Sequence, residues 1–249
     1  MHIFQNVQNN REIKDYRHEF KYLSTDQALL LLEHRLQGLM ALDAHLTDSH
    51  YEIRSIYFDD IYKTCYRQNE AGTDPRSKYR IRAYNHDDGL ISLEKKSKKN
   101  GMTRKESARL TRQQYEQIMA GDYQTLLWEY IAKENRTKQE ELILSFVTLA
   151  CTRHFRPEVI VCYERTPYVE KQGNVRITFD RNISSSVDFA HFFDKDLQRL
   201  PVLTAGRELM EVKYDEFLPA YLKEALACGN LSQTTFSKYY ICRQERIRR

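Results

Sequence analysis

Tyr79-Arg80-Ile81-Arg82-Ala83 alternates charge with apolar or small residues, and the same pattern returns twice along the chain. Leu93-Glu94-Lys95-Lys96-Ser97-Lys98 and Met210-Glu211-Val212-Lys213-Tyr214 again place charged groups every second residue. Successive side chains of a strand point to opposite faces, so this spacing gathers the charges on one face. One such strand is an ordinary solvated sheet face with cross-strand ion pairs. Several of them, rich in Arg and Lys and sparing in carboxylates, point to a walled site for an anion. Working outward, Arg17, Glu19 and Lys21 share one face with His18 and Phe20 opposite, and Ser55, Tyr57 and Asp59 share another. Tyr163 with Arg165, and Arg176 with Asp180, keep the same parity.

The bulk composition is that of a folded protein. The 249 residues are 41% apolar and 30% charged, with 17 Tyr and 11 Phe, enough to bury a core in one large β-rich domain or two small ones. No Gly-Ser or Pro-rich linker divides the chain, and only eight Gly and five Pro are present, so the helices between strands must be substantial. The expectation is a single domain over residues 1–249, with a helical insertion at about 111–150 and a C-terminal helix plus basic tail at about 219–249. No stretch approaches the roughly 18 to 20 apolar residues of a membrane span. Met1 to Asn10 shows no apolar signal-peptide core. Five dispersed cysteines (Cys65, Cys151, Cys162, Cys228 and Cys242) without a CxxC pair read as free thiols of a reducing compartment. The expected location is therefore the cytoplasm, with membrane association only through a separate partner.

Net charge is +4, but between Arg76 and Arg112 twelve Lys or Arg stand against four Asp or Glu. That concentration is a solvated surface or a polyanion site.

Period-two segments predict strands at 16–22, 53–59, 76–84, 90–98, 103–110, 157–166, 174–183 and 207–214, and a weak one at 188–193. The 85–89 loop joins a hairpin, with a residue at positive φ. Helical periodicity predicts α-helices from Asp26 to about Leu42, over 61–68, 111–119, 125–134 and 138–149, and over 219–227. Seven or eight antiparallel strands with charges on a common face predict an α+β protein. Its center is a closed antiparallel β-barrel whose lumen carries that face, with helices packed outside. Dry, unpaired charges would be very costly there, so the lumen must be wet and open.

Phosphate best explains the mixture. Arg offers a planar fork for phosphate oxygens and Lys a compact point charge. Glu211, and Glu19, Glu94 or Asp180 as further choices, can hold a hard divalent cation bridging phosphate oxygens, or can serve as counter-ions.

The ordered set Arg17-His18-Glu19-Phe20-Lys21-Tyr22, Ser55-Ile56-Tyr57-Phe58-Asp59, Tyr79-Arg80-Ile81-Arg82, Leu93-Glu94-Lys95-Lys96, Cys162-Tyr163-Glu164-Arg165-Thr166, Val175-Arg176-Ile177-Thr178-Phe179-Asp180, Glu211-Val212-Lys213-Tyr214 and Phe236-Ser237-Lys238-Tyr239 resembles the VTC domain. This is the polyphosphate-polymerase-like branch of the triphosphate tunnel metalloenzymes. The resemblance implies a tunnel barrel of about eight strands in which ATP, with Mn or Mg, donates its terminal phosphoryl group to a polyphosphate chain. It implies phosphate binding by Lys21, Arg80, Arg82, Lys96, Lys105, Arg165, Arg176 and Lys238, a hydrogen bond from Tyr163, and metal binding by Glu211. Lys213 joins the phosphate set from its place beside Glu211. Two positions depart from the related patterns: Arg17 stands where the CYTH branch has the first Glu of Glu-x-Glu-x-Lys, and Thr235 replaces a second C-terminal lysine.

Phosphoryl transfer needs alignment and charge stabilisation more than a side-chain nucleophile. The acceptor decides the reaction: a phosphate chain gives a polymerase, whereas water gives a tripolyphosphatase or nucleoside triphosphatase. A non-catalytic polyphosphate or inositol-phosphate binding module serving a membrane partner is the third reading. Nucleic acid ranks low, because a duplex cannot enter a narrow barrel.

Overall fold

The computed structural model describes residues 16–46, 48–227 and 231–247. Met1 to Asn10, Cys228 and the last two residues of the basic tail lie outside them. Among the described residues eleven strands, all paired antiparallel, form one sheet: β1 (His18–Thr25), β2 (Ala41–Leu42), β3 (Tyr51–Asp59), β4 (Arg76–Tyr84), β5 (Asp87–Lys99), β6 (Met102–Leu110), β7 (Arg156–Glu170), β8 (Val175–Ser186), β9 (Leu200–Pro201), β10 (Arg207–Tyr214) and β11 (Ser232–Gln233). The eight long strands run in the order β1-β10-β8-β7-β3-β4-β5-β6. The first and last of these meet through an isolated bridge, Arg17 to Thr103, with backbone hydrogen bonds of 2.8 and 3.0 Å. The sheet is thus curled into a barrel stitched along seven joints and clasped at the eighth.

Seven α-helices among the described residues cover its outside: α1 (Asp26–Gln37), α2 (Thr64–Glu70), α3 (Arg112–Ala120), α4 (Tyr123–Ile131), α5 (Lys138–Arg153), α6 (Ala220–Ala227) and α7 (Lys238–Ile247). Local chemistry fixes their starts. Thr111 with Gln114 and Thr137 with Glu140 form reciprocal capping boxes for α3 and α5. Two apolar cores result, both outside the barrel wall. The larger joins Phe146, Val147 and Ile143 of α5 to Phe58, Tyr79, Ile81 and Leu93 of the sheet. The smaller joins Leu29, Leu32 and Leu36 of α1 to Ile177, Phe179, Met210 and Val212. Each apolar strand residue here alternates with an inward charged or polar one, which leaves the lumen to the polar set.

Four local expectations are corrected. The 188–193 segment is no strand: Phe189–His191 forms a 3-10 turn, and Phe192 is buried against Tyr115 and Phe193. The β4–β5 loop is only Asn85-His86, both at positive φ (49° and 61°), which matches the right-handed twist of the flanking strands. Gly89 therefore lies within β5. Helix α1 ends at Gln37, short of Leu42, and the basic tail is mostly the helix α7, anchored by buried Tyr239 and Cys242. Among the described residues, Cys65, Cys151, Cys162 and Cys242 are free thiols. No helix there is long and apolar enough to cross a membrane.

Candidate functional site

The inward faces enclose a cavity of about 380 Å³ lined by twelve Lys or Arg, four Tyr and two Glu. Three knots of charge organise it.

The first is centred on Glu94 of β5. Arg80 donates its Nε to Glu94 at 2.7 Å and its Nη1 to the Tyr57 hydroxyl at 2.7 Å. Arg82 lies 3.7 Å from Glu94 and donates to Ser55 Oγ at 3.2 Å and to the Tyr163 hydroxyl at 3.1 Å. Lys105 of β6 approaches the same carboxylate at 3.2 Å with half its side chain exposed. Burial would raise Glu94, but Arg80, Arg82 and Lys105 hold it far below the ordinary carboxylate value.

The second knot joins β7, β8, β10 and α7. Arg165 grips fully buried Asp180 with two hydrogen bonds, 2.6 and 2.7 Å, in fork geometry. Lys238, at the first turn of α7, reaches Asp180 at 2.5 Å and Glu211 at 3.0 Å. Glu211 also meets Lys213 at 3.0 Å, Arg165 at 3.3 Å and Lys21 at 3.9 Å. Burial opposes ionisation of Glu211, yet Lys213, Lys238, Lys21 and Arg165 keep it well below the usual range. Asp180 is lowered too, with burial opposed by Arg165 and Lys238.

The third is centred on Glu19 of β1. Lys96 donates to both its oxygens at 2.7 Å, Thr103 Oγ1 donates at 3.2 Å, and Lys21 and Lys213 stand 3.3 and 4.0 Å away. Burial would raise Glu19, but Lys96, Lys213 and Lys21 hold it well below the ordinary value. Arg176 sits at the rim, bonded to Asp43 at 2.8 Å and to the Tyr51 hydroxyl at 3.0 Å.

The structure thus brings Lys21, Arg80, Arg82, Lys96, Lys105, Tyr163, Arg165, Arg176, Lys213, Lys238, Glu19 and Glu211 to one cavity wall. Glu94 and Asp180 are buried behind it, bonded to the lining arginines. Asp59 does not join them. The β3–β7 register shifts at Glu158 of β7, and Asp59, at the last position of β3, lies outside the cavity lining, covered by α2 and α7. Its carboxylate accepts from the Cys65 and Tyr66 amides at 2.8 and 3.0 Å and from the Tyr239 hydroxyl at 2.6 Å, fixing α2 and α7.

Lys78 was missed, although it extends the Arg80-Arg82 parity by one step; it lines the cavity beside Tyr57. Asp43 sits in the connection between β2 and β3, where no periodicity marks it. A second cavity of about 340 Å³ adjoins the first and shares Glu19, Lys21, Lys78, Lys96 and Thr103 with it. Its wall adds Asn69, Thr234, Thr235, Phe236 and Ser237. Among the described residues no group of three or more His, Cys, Asp or Glu gathers as a metal cluster.

The whole-chain architecture is similar to that of a Hippeastrum adenylyl cyclase described as having a dominant triphosphatase activity. That likeness has a TM-score of 0.52 and 16% identity, and covers 92% of this chain and 96% of the other. A Bacillus halodurans protein described as an adenylate cyclase aligns with a TM-score of 0.49 and 13% identity, covering 90% and 94% of the two chains. A search of the curated proteins found no match. Residues 16–245 match the VTC domain, a span that takes in every strand of the barrel and every residue of the three knots; the chain belongs to the VTC domain family.

Proposed function

We propose that this chain is a metal-dependent polyphosphate polymerase that transfers the terminal phosphoryl group of ATP to a polyphosphate chain inside the barrel. The observation that carries the reading is the cavity wall itself, twelve cations against two glutamates in a space of about 380 Å³. A compact polyanion matches such a surplus at that size.

In the resting protein the cations of each knot share, and outnumber, its carboxylates. An entering triphosphate exchanges these carboxylates for phosphate oxygens at Arg80, Arg82 and Lys105 on one side and at Arg165, Arg176 and Lys238 on the other. Lys21, Lys96 and Lys213 then hold the acceptor chain, and the Tyr163 hydroxyl donates a hydrogen bond to a phosphate oxygen. Charge spread over the transferring group is met by fixed guanidinium and ammonium groups, which need no reorganisation at the moment of reaction.

The residues fit a hard divalent cation, Mg or Mn. Such ions take one or two carboxylates and complete their shell with water and substrate phosphates, so a three-carboxylate cluster is not required. Glu211 supplies ionised oxygens, and the Thr178 hydroxyl directly opposite it in the ladder is buried without a protein partner. Glu211 would hold the ion, with Glu19 the other glutamate of the cavity lining, while Asp180 and Glu94 act as counter-ions for Arg165 and Arg80. When bound, the ion neutralises charge on the phosphate oxygens.

A second reading, a triphosphatase, is favoured by the fold likeness to the Hippeastrum protein; in it water replaces the phosphate chain as acceptor. Purified protein incubated with ATP and Mn or Mg separates the two. Long-chain polyphosphate supports the polymerase, and orthophosphate without chains supports hydrolysis. Neither product, with polyphosphate still bound, leaves a binding module and overturns catalysis.

A further inference from the structure

The two cavities meet at a waist formed by Glu19, Lys21, Lys78, Lys96 and Thr103. Its one carboxylate, Glu19, is already engaged by Lys96 at 2.7 Å and by Lys21 at 3.3 Å. Lys78 is held differently. Its Nζ donates to Ser237 Oγ at 3.1 Å and lies 5.5 and 5.8 Å from the ring centroids of Tyr57 and Tyr239. Every cation of the three knots has a carboxylate partner, whereas Lys78 has a hydroxyl and two aromatic faces. Those contacts stabilise an ammonium without neutralising it. A phosphate oxygen arriving here displaces one neutral hydrogen bond and gains a full charge pair. At Lys21 or Lys96 the same oxygen must first displace Glu19.

We propose that Lys78 binds the phosphoryl groups of a linear polyphosphate at the junction of the two cavities, joining them into one site for chains longer than a triphosphate. The inference rests on the reading of the barrel as a polyphosphate site and adds a determinant of chain length. A ligand seated among Arg80, Arg82 and Arg165 fills the first cavity alone. A longer chain has to pass the waist, where the uncommitted charge is that of Lys78. Burial, with Lys21 and Arg80 adding repulsion against the pull of Tyr57 and Glu19, brings Lys78 down to about 8. It is therefore charged at neutral pH and has a neutral, acylable fraction in mild base. Lys96 faces it from the neighbouring strand, and Cys65 and Tyr239 face it from α2 and α7.

Calorimetric titration of wild type, Lys78→Gln and Lys78→Arg with tripolyphosphate and with long-chain polyphosphate tests this. Losing one charge-assisted contact should weaken long-chain binding by Lys78→Gln about tenfold, with tripolyphosphate changed by less than about threefold. Lys78→Arg should keep the wild-type preference. Long-chain binding unchanged in Lys78→Gln, or equal loss for both ligands, overturns the assignment while the barrel reading stands. Wild type binding neither ligand overturns the barrel reading and this inference together. Should Lys78→Gln fail to fold, acetylation of the wild-type protein in mild base decides. Protection of Lys78 by long-chain polyphosphate beyond that given by tripolyphosphate supports the role, and equal labelling with and without the long chain overturns it.

Discussion

Asp180 and Arg181 are consecutive residues of β8 that face opposite ways, and their surroundings show how one sheet serves two purposes. Outside the barrel, Arg181 bridges Glu33 of α1 at 2.6 Å and Glu208 of β10 at 2.9 Å, beside the apolar contact of α1 with the sheet. Carboxylates outnumber the guanidinium there, and burial raises Glu208 despite Arg181. Inside, Asp180 is shared by Arg165 and Lys238, cations outnumber carboxylates, and every lumen carboxylate is lowered. The outer network is closed on itself and holds a helix to the sheet. The inner one keeps a positive surplus that only an added anion can balance. Side chains of the same kinds thus tie a helix to the sheet on one face and leave a net positive wall on the other, and the sign of the imbalance tells them apart.

The contrast has consequences that can be measured, beginning with the largest. Glu211→Gln should lower metal-dependent turnover on the order of a hundredfold, the scale of removing one preorganised charge from a catalytic site. Polyphosphate binding should be retained or strengthened, because a competing carboxylate charge is gone; steady-state kinetics with a binding titration checks both. Arg82→Ala should weaken triphosphate binding roughly ten- to a hundredfold through lost charge-assisted hydrogen bonds. Unchanged affinity in that variant would break the assignment of the inner face. Polyphosphate affinity should fall by about threefold to tenfold as pH rises from about 7 to about 9. Two groups near the waist titrate in that window. Lys78, lowered by burial to about 8, loses its proton and its positive charge. Tyr57, which burial would raise but Arg80, Lys78 and Arg82 bring to about 8, loses its proton and becomes negative. Both changes repel phosphate, and Tyr57→Phe should remove one of them. The smallest effect on catalysis is expected outside: Arg181→Met should leave turnover unchanged while costing about 2 kcal/mol of stability in a urea melt, because Glu33 and Glu208 are left partly buried and unpaired.

Acid should separate the faces as well. The folded values of Glu19, Asp180 and Glu211 are depressed, so their stabilising contribution is present above the unfolded carboxylate value. It is lost as pH falls through the lower folded values. Glu208 has the opposite sign: its raised folded value makes its burial cost present at neutral pH and relieved as pH falls.

The inner face was legible because charge carries the strand period. Arg80, Arg82, Lys96, Glu211 and Lys213 declare their side of the sheet through a spacing of two, and the barrel follows from hiding the alternate apolar set. Asp59 keeps the parity of Ser55 and Tyr57, but α2 and α7 cover the end of β3 and engage its carboxylate, which nothing in Tyr57-Phe58-Asp59 announces. Asp43 was invisible because an irregular connection has no period. The 188–193 segment imitates a strand through its aromatic residues, but Phe192 and Phe193 are spaced to pack under a turn. Helix α7 hid behind its basic composition, because its buried face consists of little more than Tyr239 and Cys242.

The clasp between Arg17 and Thr103 gives the barrel a preferred direction of failure. Seven joints of the ring are laced by at least five paired positions each, and the eighth by two backbone hydrogen bonds and the side-chain contact of Thr103 with Glu19. In mechanical terms the hoop strength is uneven, and any widening of the ring is concentrated at this seam. A gap there opens sideways onto Glu19 and Lys96. Among the described residues the wall of the barrel is therefore a split ring, laced on seven sides and pinned on the eighth.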